Sequence, residues 1–280
     1  DKIRLMKRTV LGLFAILIFG LAVFLLYQSR FKEGRVDLTI EAPEKARAGQ
    51  EFEYKISIEN KNNFDLRGVR LSFSLPEGSL GLDEAGQPLN SLIKNFDIGD
   101  LESRAKKEFV LKAVLAGEKG EIKKAKAALS YNPSNLSSTF RKNAEAATEI
   151  SDVLASFDLS APPNILSGQK IGVSLDLRNE TENDLNDLEI VFSYPEGFSF
   201  EKAAPAPDQK NNVFSLPLLK KGEGLRINIE GLIFGFEKEG KRFSVVLRKK
   251  FGSRFFDVQK SQITFSVSTP LLIADVSLDG

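Results

Sequence analysis

The 280-residue sequence contains no cysteine, no histidine and no tryptophan, and a single methionine. Without cysteine there is no disulfide, no thiolate metal site and no thiol nucleophile. Without histidine, Ser-His-Asp and Cys-His catalysis, imidazole-bound zinc and a side-chain switch near neutral pH fall away together. An exported animal module of this size often carries a disulfide, so a chain with none suits a prokaryotic surface protein better. An excess of one charge is also lacking. Lys and Arg number 39 against 38 Asp and Glu, so no polyanion is implied as a partner and nucleic acid is not expected. What the chain has in quantity is phenylalanine, 22 residues of it. With its aliphatic residues this is enough apolar bulk for sizeable cores.

One apolar stretch stands apart. Residues 9–27 read TVLGLFAILIFGLAVFLLY and carry no charge. A membrane-spanning helix needs about 20 apolar residues, and it satisfies its backbone hydrogen bonds internally. Tyr27 stands where an interfacial aromatic would. The stretch is longer than a signal-peptide core and runs into Gln28-Ser29-Arg30-Phe31, with no small-residue cleavage site. It is therefore expected to be an uncleaved anchor in the lipid bilayer of the plasma (cytoplasmic) membrane. Residues 1–8 would form a basic cytoplasmic tail and 28–35 a linker. Lys2, Arg4, Lys7 and Arg8 precede the span; Arg30, Lys32 and Arg35 follow it. That small bias, and the long region behind it, places the N-terminus inside. Gly12 and Gly20 form no G-x-x-x-G pair.

The rest of the chain is written twice. Shifted by 119 residues, the segment from Val36 to Gly78 falls on the segment from Ala155 to Gly197 without a gap. Ala42/Ala161, Pro43/Pro162, Gly49/Gly168, Gln50/Gln169, Asn60/Asn179, Asp65/Asp184 and Leu66/Leu185 are identical, and so are Phe73-Ser74/Phe192-Ser193 and Pro76-Glu77-Gly78/Pro195-Glu196-Gly197. Apolar residues recur with period two at Phe52, Tyr54, Ile56 and Ile58, and again at Ile171, Val173, Leu175 and Leu177. Such alternation marks half-buried strands with one face on a core. Turn residues punctuate the strands, and the repeated Pro-Glu-Gly combines a fixed φ with a glycine suited to φ > 0. About seven short strands per repeat, with no helical period, predict an all-β protein of tandem immunoglobulin-like β-sandwiches behind one N-terminal transmembrane helix. The expected units are 36–151 and 152–269. Residues 270–280 repeat the opening strand pattern and are expected to begin a third unit of a longer chain.

The N-x(4)-D connection, the strand ending in Pro-Glu-Gly and the short apolar strand after it resemble a family of bacterial and archaeal conserved-repeat modules, domain of unknown function eleven. They are similar also to cell-adhesion-related bacterial (CARDB) and fibronectin-III-like surface modules. The resemblance covers residues 36–268, with its best part in 60–78 and 179–197. It implies immunoglobulin-like units in tandem in an envelope protein, with adhesion or scaffold roles and no catalytic residue.

Four features invite a site. Glu180, Glu182, Asp184 and Asp187 place carboxylates in one loop region, and oxygen-rich loops suit Ca²⁺. The corresponding loop in the first repeat, Asn60 to Asp65, holds one carboxylate, and no EF-hand spacing is present. A solvated acidic turn is the simpler account. Residues 241–256 interleave basic and aromatic residues, as polyanion-binding surfaces do. Yet residues 151–269 hold 15 basic and 16 acidic side chains, which suits a strand pair with charged outer faces. Asn135-Leu136-Ser137 and Asn179-Glu180-Thr181 match the glycosylation sequon, by chance in a bacterial chain. Carboxylate pairs for glycoside hydrolysis exist in composition, and nothing arranges them. The repeat residues Asn60, Asp65, Pro76, Gly78, Asn179, Asp184, Pro195 and Gly197 are assigned to turns. The expectation is a non-catalytic stalk or scaffold without cofactors, in contact with envelope proteins or with cell-wall or glycan polymers. An adhesion module acting through loop ends is one alternative. The stalk of an enzyme whose catalytic domain lies beyond Gly280 is another.

Overall fold

The computed structural model describes residues 16–21, 31–208 and 210–268. Of the expected span at 9–27, only 16–21 fall among these; they are helical, with apolar side chains exposed. Among the described residues no helix is long and apolar enough to cross a membrane. The expected third repeat, 270–280, lies outside the described residues.

The first repeat comprises β1 (Val36–Glu41), β2 (Lys45–Arg47), β3 (Glu51–Asn60), β4 (Leu66–Ser74), β5 (Ser79–Leu82), β6 (Ile93–Leu101), β7 (Lys106–Leu115), β8 (Ile122–Pro133) and β9 (Phe140–Asp152). The second comprises β10 (Ala155–Ser160), β11 (Asn164–Leu166), β12 (Gln169–Asn179), β13 (Leu185–Ser193), β14 (Phe198–Ala204), β15 (Val213–Leu219), β16 (Gly224–Ile233), β17 (Gly240–Phe251) and β18 (Arg254–Ser268). One sheet of the first repeat runs β1-β3-β7-β5 and the other β2-β9-β8-β4-β6. The second repeat has the same two sheets, β10-β12-β16-β14 and β11-β18-β17-β13-β15. The topology is thus duplicated strand for strand. Among the described residues only β2 with β9 and β11 with β18 pair in parallel. Each of those short strands follows a proline, Pro43 or Pro162. Proline cannot donate to a ladder, so the chain leaves one sheet there and joins the other.

Period-two alternation became a core in each repeat. Tyr54, Ile56 and Ile58 meet Val69, Leu71 and Phe73 across the first sandwich. Ile171, Val173, Leu175 and Leu177 meet Leu188, Ile190 and Phe192 across the second. Pro-Glu-Gly has a larger task than ending a strand. β4 hands the chain to β5 in the opposite sheet, and β6 then returns to pair with β4. Gly78 and Gly197 take φ of 70° and 79° at that crossing. Their carbonyls accept the N–H of Ala116 and of Phe234, at 2.8 and 2.9 Å. The structure has more strands per repeat than the expected seven; β2 and β11, of three residues each, and β5, of four, are too short to show periodicity. The expected linker also differs. Phe31 packs on Phe140 with ring centroids 4.9 Å apart, and the Lys32 backbone exchanges two hydrogen bonds with the Asn62 side chain. From Phe31 onward the segment is therefore fastened to the first sandwich.

Candidate functional site

The repeated Asn and Asp form matched devices, with the Asn buried and the Asp exposed. Asn60 Nδ2 donates to the carbonyls of Phe64 and Glu102 at 2.7 and 3.0 Å, and its Oδ1 accepts the Asn62 N–H at 3.1 Å. Asn179 Nδ2 donates to Asn183 and Leu219 carbonyls at 2.9 and 3.0 Å, and its Oδ1 accepts the Thr181 N–H at 2.9 Å. Asp65 accepts the Ser103 N–H and Asp184 the Lys221 N–H, both at 2.8 Å. Local turn bonding was legible in the sequence. The reach to Glu102 and Leu219, some 40 residues away, was not.

The carboxylates considered for calcium are not gathered. Glu182 pairs with Lys221, Asp184 caps a backbone N–H, and Asp187 sits at φ 55°. Glu180 is engaged through its backbone, its carbonyl accepting from Arg47 Nη1 at 3.2 Å. Lys221 holds the Glu182 carboxyl below the usual range. Among the described residues no group of three or more His, Cys, Asp or Glu is placed to hold a metal ion. Buried Asn179 spends its amide inside the loop, as a sugar-bearing asparagine could not.

The basic and aromatic run is the β17–β18 hairpin. Lys241 is buried, and donates to the Glu196 carbonyl at 2.8 Å and to Glu239 Oε1 at 2.6 Å. Phe243 and Phe251 are core residues. Arg248 pairs with Asp257 at 3.0 Å and Glu189 at 3.4 Å. Burial pulls the Lys249 ammonium below its usual pKa, and Glu51 of the first repeat opposes that shift. The hairpin tip reaches the first sandwich, where Arg254 Nη2 donates to the Leu89 carbonyl at 3.2 Å.

These contacts belong to a joint between the sandwiches. Only Val153 and Leu154 separate β9 from β10. Leu154 is buried against Gly49, where an added Cβ would lie 2.5 Å from Leu154 Cδ1 and 3.1 Å from Val258 Cγ1. Arg47 Nη1 donates to the carbonyls of Val153 and Glu180, and Nη2 pairs with Asp152 at 3.3 Å. Leu80, Leu82 and Val114 of the first sandwich belong to the apolar cluster of the second. A groove of about 1060 Å³ runs along the joint. Gly78, Ala116–Lys119 and Glu121 line one side; Val153 and Phe255–Lys260 line the other. Lys123 and the Glu118 N–H together keep the Glu121 carboxyl low in pKa. Sequence reasoning missed this joint. One signal was available: Ser79-Leu80-Gly81-Leu82 does not alternate, and a strand buried on both faces reads that way.

The fold and the joint define a protein of duplicated β-sandwiches locked end to end. No family model matches the sequence, and no curated protein matches it. Among solved structures it is similar to red sea bream transglutaminase, at 11% identity and a TM-score of 0.37, over 85% of this chain and 32% of that one. It is similar to native Escherichia coli alpha-2-macroglobulin, at 13% identity and a TM-score of 0.38, over 85% of this chain and 17% of that one. A cohesin module from a Clostridium perfringens family 33 glycoside hydrolase is similar at 9% identity and a TM-score of 0.32, over 42% of this chain and 98% of the module. The chain therefore spans about a third of the transglutaminase and less of the macroglobulin. Likeness at these levels carries nothing about activity.

Proposed function

We propose that this chain is a spacer: a non-catalytic, membrane-anchored stalk or scaffold of the cell envelope. Residues 9–27 anchor it, the N-terminus stays inside, and the sandwiches stand outside the cytoplasmic membrane. The joint carries this reading. A two-residue connector, a buried leucine and an arginine clamped on two carbonyls favour a fixed angle between units over a swivel. Phe31 and Lys32, fastened to the first sandwich, remove slack from the anchor side. A chain without histidine or cysteine, in which carboxylates such as Asp176, Glu182 and Asp257 pair with arginine or lysine, has little to offer catalysis. Protease treatment of intact cells tests the placement: fragments from the region after Tyr27 should be released, and full protection there refutes it. Spin labels on each sandwich, easily placed in a cysteine-free chain, should give one narrow distance distribution; a broad one refutes the rigid spacer.

The groove supports a second reading, an adhesion module that binds a glycan or surface protein. Phe255 is partly exposed there beside Lys119, Asp257 and Lys260. Glycan-array binding lost on Phe255→Ala would favour it.

A further inference from the structure

The far end of the first sandwich is covered by the second. The same end of the second sandwich is built alike and is bare among the described residues. In the first, the loop from Ala116 to Glu121 is held by Ala116 N–H on Gly78 O, Gly120 N–H on Ile150 O, Glu118 N–H on Glu121 and Lys123 on Glu121. In the second, the loop from Phe234 to Glu239 is held by Phe234 N–H on Gly197 O, Lys238 N–H on Val267 O, Phe236 N–H on Glu239 and Lys241 on Glu239. The backbone is thus superposable bond for bond, while three positions change character. Ala116 becomes Phe234, Glu118 becomes Phe236 and Arg47 becomes Leu166. Ala116 and Glu118 line the groove facing the second sandwich, and Arg47 clamps the connector. Their counterparts Phe234, Phe236 and Leu166 are 51%, 83% and 44% exposed.

We propose that this apolar end is the seat of the connector that follows it, Leu271-Leu272-Ile273, and that it aligns the next unit. The proposal rests on the array reading, not on membrane anchorage. Three arguments choose this occupant. Counted back from the repeated opening strand, in the 119-residue register, Ile273 corresponds to Leu154 and Leu272 to Val153; counted forward from Ile150 and Val267, this connector is two residues longer. Leu154 fills the space over Gly49, whereas among the described residues an added Cβ on Gly168 would meet only Phe234 Cε1, at 3.7 Å. Arg47 holds its connector by the Val153 carbonyl, but Leu166 and two phenylalanines can hold one only through apolar side chains, and this connector supplies three. The flank of the joint is not repeated. Leu80 and Leu82 become Ser199 and Glu201, so the second seat is the end face alone.

Hydroxyl-radical footprinting of the full 280-residue chain in detergent tests the seat. The unaltered chain is compared with a Leu272→Asp, Ile273→Asp variant. Oxidation of Phe234 and Phe236 is expected to rise at least threefold in the variant, with the circular dichroism spectrum unchanged. Equal oxidation in both chains overturns the proposal. Oxidation of the unaltered chain that rises on dilution also overturns it, because a second copy would then be the cover. Label distances between the first two sandwiches are read in the same samples. A broad distribution there would sink the array reading by itself and leave the footprint to decide the seat.

Discussion

Replacing Asn179 by alanine tests the claim that the repeated asparagine is a structural pin. Its side chain is buried and makes three bonds with main-chain groups, as donor to the Asn183 and Leu219 carbonyls and as acceptor from the Thr181 N–H, and a fourth in which its Oδ1 accepts from Thr181 Oγ1. At about 1 kcal/mol per bond the loss is about 3–4 kcal/mol, because buried groups left without partners keep their desolvation cost. Asn60→Ala removes the three corresponding main-chain bonds from the first sandwich, where the hydroxyl bond has no counterpart, and should cost the same within about 1 kcal/mol by that reckoning. Urea unfolding followed by far-ultraviolet circular dichroism measures both, with EDTA and with calcium. A cost below about 1 kcal/mol for either variant refutes the pin, since that is one ordinary bond. A cost for Asn179→Ala that appears only with calcium would restore the acidic loop at Glu180, Glu182, Asp184 and Asp187 as a metal site.

Three further outcomes are expected. Leu154→Ala should cost about 2–5 kcal/mol, as buried leucine truncations do, and should broaden the label distances between the sandwiches; an unchanged distribution would mean the joint is held elsewhere. Lys249→Met should raise the urea midpoint at neutral pH. The folded-state pKa of Lys249 lies below 10.5, so the unfolded chain binds more protons between the two values and native stability rises with pH there. The variant lacks that rise, and its advantage should shrink as pH approaches 10.5; a constant advantage refutes burial as the cause. Gly197→Ala should cost more than Gly78→Ala. Both have positive φ, at about 1–2 kcal/mol for a side chain, but at Gly197 the new Cβ would press into the Phe234 carbonyl, while at Gly78 its nearest neighbour is Lys123 Nζ at 3.3 Å. Equal costs in urea would refute the crowding argument.

Much of the architecture was present in the chain's own pattern. Period two at Tyr54, Ile56 and Ile58 gave the inward faces, and the 119-residue shift gave the duplication. Positive φ at the glycine of Pro-Glu-Gly follows from turn chemistry, and the structure has it at both copies. These are local properties: side-chain period and backbone freedom depend on a few neighbouring residues. Residues 241–256 show the limit. As a string they resemble a basic patch, but pairing of β17 with β18 sends Phe243 and Phe251 inward and sets Arg248 between Asp257 and Glu189. The acidic loop fails in the same way, since Glu182 and Asp184 both turn to Lys221, 37 or more residues away.

The sequence by itself determined an all-β chain written twice, the turns that bound its strands, and the absence of thiol and imidazole chemistry. Only the tertiary structure decided that Pro-Glu-Gly carries the chain between sheets, that Asn60 and Asn179 reach across to distant carbonyls, and that Leu154 and Arg47 weld one sandwich to the next. The reason is range. A strand's period is set by the residues beside it, whereas a joint is made where two finished surfaces meet, from residues such as Gly49 and Val258 that lie more than two hundred positions apart.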